Sequence, residues 1–278
     1  MIAAADSPQD RTALRPVTPI GIAAAAALAV RDSVAAGQLD ADIVAKANEV
    51  VRILQGLEQY VEDSTTGPSD ALAQLATATA RGEWEHSDQR DNDKLESEML
   101  SGHAAGRLLQ FLVRSTRATS ALDIGMFTGY SALAMAEALP ANGHVVACEY
   151  DRGIAEFAQA AFAKSPSGSK IEVRVGDATQ SLRELTSEGR HFDVIFLDAD
   201  KPGYGRYYEL LLDGDLLPRD GVLCVDNTLM QGEPYSSDAP SENGQAIADF
   251  NRMVQQDSRV EQVLVPLRDG ITLIRRIQ

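Results

Sequence analysis

The chain has 278 residues, 44% of them hydrophobic and 24% charged, the proportions of a globular protein long enough to bury a core without disulfide or metal staples. Asp and Glu number 41 against 25 Lys and Arg, a net charge of −16, and such a surface argues against nucleic acid or an anionic membrane as partner. Two cysteines with no CxxC pair and four scattered histidines exclude a disulfide framework and a thiolate zinc site, so any metal has to be held mainly by oxygen.

In chain order, residues 1–19 read as a loose lead-in containing Pro8, Pro16 and Pro19. The apolar run Ile20 to Val30 is too short to cross a bilayer as a helix. The acidic start has no basic n-region of a signal peptide, so a cytoplasmic location is expected. Helices are predicted from Ile20 to about Ala36 and from Asp40 to about Glu62, the second with Ile43, Ala47, Val50, Val51, Leu54 and Leu57 on one face. Thr65 to Ser69 breaks the pattern, a shorter helix starts at Asp70, and another is expected from Lys94 to Arg114. The domain organisation expected from this is a helical extension over residues 1–92 and a second domain over 93–278.

Beyond residue 115 the rhythm changes to strand–helix alternation. Strands are predicted at Ala118–Ile124, His144–Glu149, Lys170–Val175, Phe192–Leu197 and Val222–Val225, with helices between them. Residues 231–241 read as a loop and Ala246–Gln256 as a helix. Val260–Val265 and Ile271–Ile277 flank Arg268-Asp269-Gly270 as a closing hairpin. Apolar strands alternating with helices mean a mostly parallel α/β sheet covered on both faces.

The chemistry-bearing residues fall at the carboxyl ends of these strands, where open α/β sheets bind ligands. Asp123 to Ser131 joins a strand to a helix with the spacing D-x-G-x-x-x-G, which suits an anionic group at a helix N-terminus but is not the dinucleotide fingerprint G-x-G-x-x-G. Glu149, 24 residues beyond Gly125, is placed to accept from ribose hydroxyls. Asp177 either meets an adenine amino group or caps the following helix. Asp198, Asp226 and Asn227, on two successive strand ends, offer three oxygens suited to Mg²⁺. Lys201, one turn past Asp198, is a candidate general base, its pKa expected to fall beside a divalent cation.

The segments DIGMFTGYS at 123–131, LDADK at 197–201, VDNTL at 225–229 and RDGITLIRR at 268–276, in this order, resemble the cation-dependent, S-adenosylmethionine-using O-methyltransferases of the caffeoyl-CoA and catechol type. The resemblance implies a Rossmann-like seven-stranded sheet with a reversed terminal hairpin. It also implies an enzyme that moves a methyl group from S-adenosylmethionine to a hydroxyl of a small substrate. Asp123 and Ser131 would then hold the amino and carboxylate groups of the methionine moiety, with Gly125 and Gly129 making room and the Tyr130 N–H beside them. Glu149 would hold the ribose, Asp177 and Ala178 the adenine edge, and Met99 and Ser101 would line the methyl-donor side. Asp198, Asp226 and Asn227 would bind the metal, with Lys201 as the base. The acidic residues that caffeoyl-CoA enzymes carry before the glycine matching Gly106 are Ala104 and Ala105 here.

EMLSGH at 98–103, MFTGYSALAMAEALP at 126–140, CVDNTL at 224–229 and VEQVLVPLRDGITLIRR at 260–276 are similar to one group within that family. Those enzymes convert demethyl-4-deoxygadusol to 4-deoxygadusol in the biosynthesis of mycosporine sunscreens. A homodimer acting on a small molecule is expected.

Overall fold

The computed structural model describes residues 19–37, 41–82 and 100–277. By their contacts the chain divides into two compact units, on either side of Thr65 and Thr66. The expected border at 92/93 and the start of the expected helix at Lys94 lie outside the described residues.

The first unit contains two helices, α1 (Pro19–Ala35) and α2 (Ala41–Asp63), packed on each other. Ala23 and Ile43 are buried there, whereas Val51 and Leu54 of the predicted apolar face of α2 are exposed.

The second unit opens with α3 (Asp70–Arg81) and α4 (Gly102–Ser115). Ser69 caps α3 by accepting from the Leu72 N–H. Leu100 and Ser101 are not helical, so α4 starts later than the sequence pattern suggests. The reason is Gly102, whose φ of +79° no regular helix accommodates. There follow β1 (Ser120–Ile124), α5 (Tyr130–Ala138), β2 (His144–Glu149), α6 (Arg152–Phe162), β3 (Ile171–Val175), α7 (Ala178–Ser187), β4 (Val194–Leu197), α8 (Tyr204–Asp213) and β5 (Val222–Val225). The segment read as a loop holds a short helix, α9 (Glu233–Ser236), and the chain ends with α10 (Glu242–Gln256), β6 (Val260–Val265) and β7 (Ile271–Arg276). Among the described residues no helix is long and apolar enough to cross a membrane.

The seven strands form one sheet in the order β3-β2-β1-β4-β5-β7-β6. β1 to β5 are mutually parallel, and β7 is antiparallel to both β5 and β6. The terminal hairpin therefore inserts β7 against β5 and leaves β6 at the edge. This is the Rossmann-like methyltransferase architecture with N-terminal helices that the sequence implies.

Strand alternation sorts the core into two layers. Ala121, Val145, Ala147, Phe196 and Cys224 face one layer with Leu109 and Leu133. Leu122, Ile124, Val146, Ile195 and Val225 face the other with Leu182, Tyr208 and Phe250. Asp123, between Leu122 and Ile124, therefore points into a buried layer and is 0% exposed.

Candidate active site

The site follows from register. Cys148 pairs with Ile124, Ile124 with Leu197, and Leu197 with Val225. The next residue on each strand, Glu149, Gly125, Asp198 and Asp226, thus stands at one level along the carboxyl edge of the sheet. The order reverses between β1 and β4, and that switch point opens the crevice. The chain turns sharply there, with the Gly125 and Met126 N–H groups both donating to the Cys148 carbonyl, at 3.1 and 3.0 Å. At Gly125 φ is +89°, and a Cβ would lie 2.0 Å from the Asp198 carbonyl oxygen. The space this glycine saves is filled by the β4 backbone, so it draws the two strand ends together.

Four carboxyl groups converge on this edge. Ser131, the second residue of α5, donates its hydroxyl to Asp123 Oδ2 at 2.6 Å, while Asp123 Oδ1 is buried with no partner. Burial, and after it the charges of Asp198 and Glu149, push Asp123 up to about 7 against the Ser131 bond. Glu149, 8% exposed, accepts from the Phe127 N–H at 2.7 Å and the Asp151 N–H at 2.9 Å. Burial lifts it too to about 7, against those two bonds. Asp226 is raised to about 7 by burial and by Asp198. Carboxyl groups so raised at neutral pH are a site short of positive charge, and cationic ligands fit it.

Asp198 and Asn227 meet at Lys201, and Asp226 stands beside Asn227. Lys201 Nζ donates to Asp198 Oδ1 at 2.8 Å, to Asn227 Oδ1 at 2.8 Å, to the Tyr204 hydroxyl at 2.9 Å and to the Ala199 carbonyl at 3.2 Å. Asp226 Oδ1 accepts from the Asn227 N–H at 2.8 Å. Among the described residues no three His, Cys, Asp or Glu side chains converge as ligands; the available set is two carboxylates and one amide oxygen, hard donors fit for a divalent cation. The Lys201 pKa does not fall in this arrangement. Burial would lower it, but the Tyr204 oxygen and Asp198 together hold it above the usual lysine value.

Met99 lies outside the described residues. Ser101 is 9% exposed just ahead of α4. Gly129 leads into α5, whose first residue, Tyr130, is buried. Asp177 caps α7 by accepting from the Gln180 N–H at 3.2 Å. With Gly176, Gln180 and Ser181 it lines an open cavity of about 360 Å³ beyond the β3 end. Ala178 begins α7.

The sequence pattern did not single out Tyr204, which is fully buried, edge-on to Phe250 with ring centres 5.5 Å apart, and bonded to Lys201. Its spacing of three residues from Lys201 was the available signal. Asp200, just before Lys201, makes no side-chain capping bond and accepts from the Tyr207 hydroxyl at 2.5 Å.

Comparison with known proteins gives a consistent picture. A family model described as O-methyltransferase matches residues 68–277. Caffeoyl-CoA O-methyltransferase of Petroselinum crispum is 31% identical over 232 residues, 80% of this chain and 90% of its own. Probable caffeoyl-CoA O-methyltransferase 1 of Dictyostelium discoideum is 35% identical over 182 residues, 64% of this chain and 78% of its own. Among solved structures, the S-adenosylhomocysteine-bound methyltransferase PaMTH1 of Podospora anserina has a TM-score of 0.68 at 27% identity, over 81% of this chain and 95% of that one.

Proposed function

The chain belongs to the O-methyltransferase family, and from that premise we propose that it moves the methyl group of S-adenosylmethionine to one oxygen of a small ring bearing two neighbouring hydroxyls, with a divalent cation at Asp198, Asp226 and Asn227. The observation that carries this reading is the pairing of an acidic strand edge, including the unpartnered Asp123 Oδ1, with the Asp198 and Asn227 oxygens that share one lysine and the Asp226 carboxylate beside them.

S-adenosylmethionine supplies a methyl group on a positively charged sulfur and carries an ammonium group at its amino-acid end. Asp123 is the group to accept from that ammonium, because its buried Oδ1 has no other partner. Glu149 keeps lone pairs beyond its two backbone bonds and is placed to accept from the ribose hydroxyls. Ser131 orients Asp123, and Asp177 with Ala178 borders the adenine side.

What a divalent cation would supply is charge, lowering the pKa of the acceptor hydroxyl and offsetting the Asp198 field that keeps Lys201 protonated. Lys201 Nζ then takes the hydroxyl proton, with Tyr204 and the Ala199 carbonyl fixing where Nζ sits. The deprotonated oxygen attacks the methyl carbon as its bond to sulfur breaks, the electron pair stays on sulfur, and S-adenosylhomocysteine leaves as a neutral thioether. Placement of the two reactants accounts for much of the rate.

The acceptor we favour is demethyl-4-deoxygadusol, giving 4-deoxygadusol. Supporting this are the similar segments at 98–103, 126–140, 224–229 and 260–276, and the net charge of −16, which disfavours a polyanionic CoA ester. A catechol or caffeoyl-CoA acceptor is the second reading, favoured by the identity to the Petroselinum enzyme. Purified protein with S-adenosylmethionine, tested against demethyl-4-deoxygadusol, catechol and caffeoyl-CoA with Mg²⁺ or excess EDTA, separates them. Methylation of the cyclohexenone alone, lost in EDTA, is the expected result. Full turnover in chelator would refute the cation, and binding without turnover on any acceptor would indicate a non-catalytic binding protein.

A further inference from the structure

The turn between β6 and β7, Arg268-Asp269-Gly270, closes from outside on the loop that carries Asn227. The Thr228 and Leu229 N–H groups donate to the Gly270 and Asp269 carbonyls at 3.0 and 2.9 Å. The Asp269 carboxylate uses both oxygens on the same loop. Oδ1 accepts from the Gln231 N–H at 2.6 Å, and Oδ2 accepts from Asn227 Nδ2 at 3.3 Å. At the other end of that amide, Asn227 Oδ1 accepts from Lys201 Nζ.

An amide side chain has a donor end and an acceptor end of nearly equal size, and only its partners decide which way it points. A cation can use the oxygen end alone. An ionised carboxylate accepts and never donates, so Asp269 can hold only the NH₂ end, and the oxygen is thereby turned to Lys201, the residue that also bonds Asp198. The middle of the loop is held at Thr228, whose carbonyl accepts from Asn251 Nδ2 at 2.8 Å and whose hydroxyl bonds that of Thr272 at 2.9 Å; on either side Asn227, Met230 and Gln231 have φ of 57°, 41° and 53°, left-handed values that non-glycine residues rarely choose on their own.

We propose that Asp269 is a positioning residue of the cation site, setting the orientation of the Asn227 amide and anchoring the Asn227–Gln231 loop. The proposal rests on the reading of Asp198, Asp226 and Asn227 as cation ligands.

The experiment is a Mn²⁺ titration of the full chain, followed by electron paramagnetic resonance of free Mn²⁺, with neither S-adenosylmethionine nor acceptor present. Four proteins are compared: wild type, D269A, N227D and N227D/D269A. D269A is expected to raise the Mn²⁺ dissociation constant about tenfold or more, the usual scale for losing a group that orients a ligand. In the N227D background the same change should cost little, because a carboxylate at 227 presents oxygen from both ends and needs no orienting partner. A purely structural role for Asp269 would give equal losses in both backgrounds and overturn the proposal, as would an unchanged constant in D269A. If thermal melts show D269A unfolded, D269N makes the same comparison, since an amide there no longer dictates which end of Asn227 it meets. Wild type that takes up no Mn²⁺ overturns the cation reading itself, and this proposal with it.

Discussion

The Ser131 hydroxyl donates to one oxygen of Asp123 at 2.6 Å and leaves the other buried without a partner. This carboxyl group is stable as a neutral acid in the folded chain and costly as an anion. Its pKa is raised from 3.8 to about 7, by burial first and then by Asp198 and Glu149. A carboxyl raised on folding contributes stability that is fully present below its unfolded pKa and lost as pH rises through the folded value. The thermal midpoint of the ligand-free protein is therefore expected to fall as pH rises from about 5 to about 8. D123N, which cannot ionise, should show a shallower fall. Parallel pH profiles for the two proteins would show that Asp123 does not titrate in this range.

Glu149 is expected to govern S-adenosylmethionine affinity more than the chemical step. Its carboxylate would accept from ribose hydroxyls, and hydrogen bonds to a charged group contribute about 1.5–3 kcal/mol each. Calorimetry of E149A should show the dissociation constant raised at least about tenfold. An unchanged constant would remove Glu149 from the ribose role.

Lys201 is expected to act as a base and not merely as a counter-ion. Arg keeps the positive charge near Asp198 but does not lose its proton at neutral pH. K201R should therefore lower kcat by about 10²–10⁴-fold, with S-adenosylmethionine affinity retained. Near-normal kcat in K201R would leave Lys201 only an electrostatic part.

The N-terminal helices should be separable from methyl-donor binding, and where the chain is cut matters. The Thr79 hydroxyl of α3 shares a 2.9 Å hydrogen bond with the Thr128 hydroxyl in the β1–α5 loop, and Leu72 and Leu75 are 3% and 2% exposed in the core that holds Tyr130. Buried leucines such as these contribute about 2–5 kcal/mol each. Deleting residues 1–65 should leave a folded protein that binds S-adenosylmethionine, whereas deleting 1–90 should lower the thermal midpoint sharply. Loss of S-adenosylmethionine binding in the 1–65 deletion, or an unchanged midpoint in the 1–90 deletion, would overturn this.

Much of this molecule was legible in the sequence because the signals are local. Apolar runs such as VIFL and VLCV mark buried parallel strands by their own composition, and the candidate carboxylates Asp198 and Asp226 follow their strands directly in the chain while Glu149 ends its own. The succession of strands and helices along the chain, the doubly covered sheet and the candidate group Asp198, Asp226 and Asn227 could therefore be set out before any coordinates. Gly102, by contrast, makes α4 start later than hydrophobic periodicity implies, since a single φ of +79° leaves no trace in the pattern of apolar residues. Only the tertiary structure decided that β7 inserts beside β5, because strand neighbours are chosen by packing across the sheet. For the same reason Tyr204 and Asp269 became site residues only on folding. Asp269 is 42 residues from Asn227, and what joins them is a hydrogen bond between two turns that the sheet alone brings together.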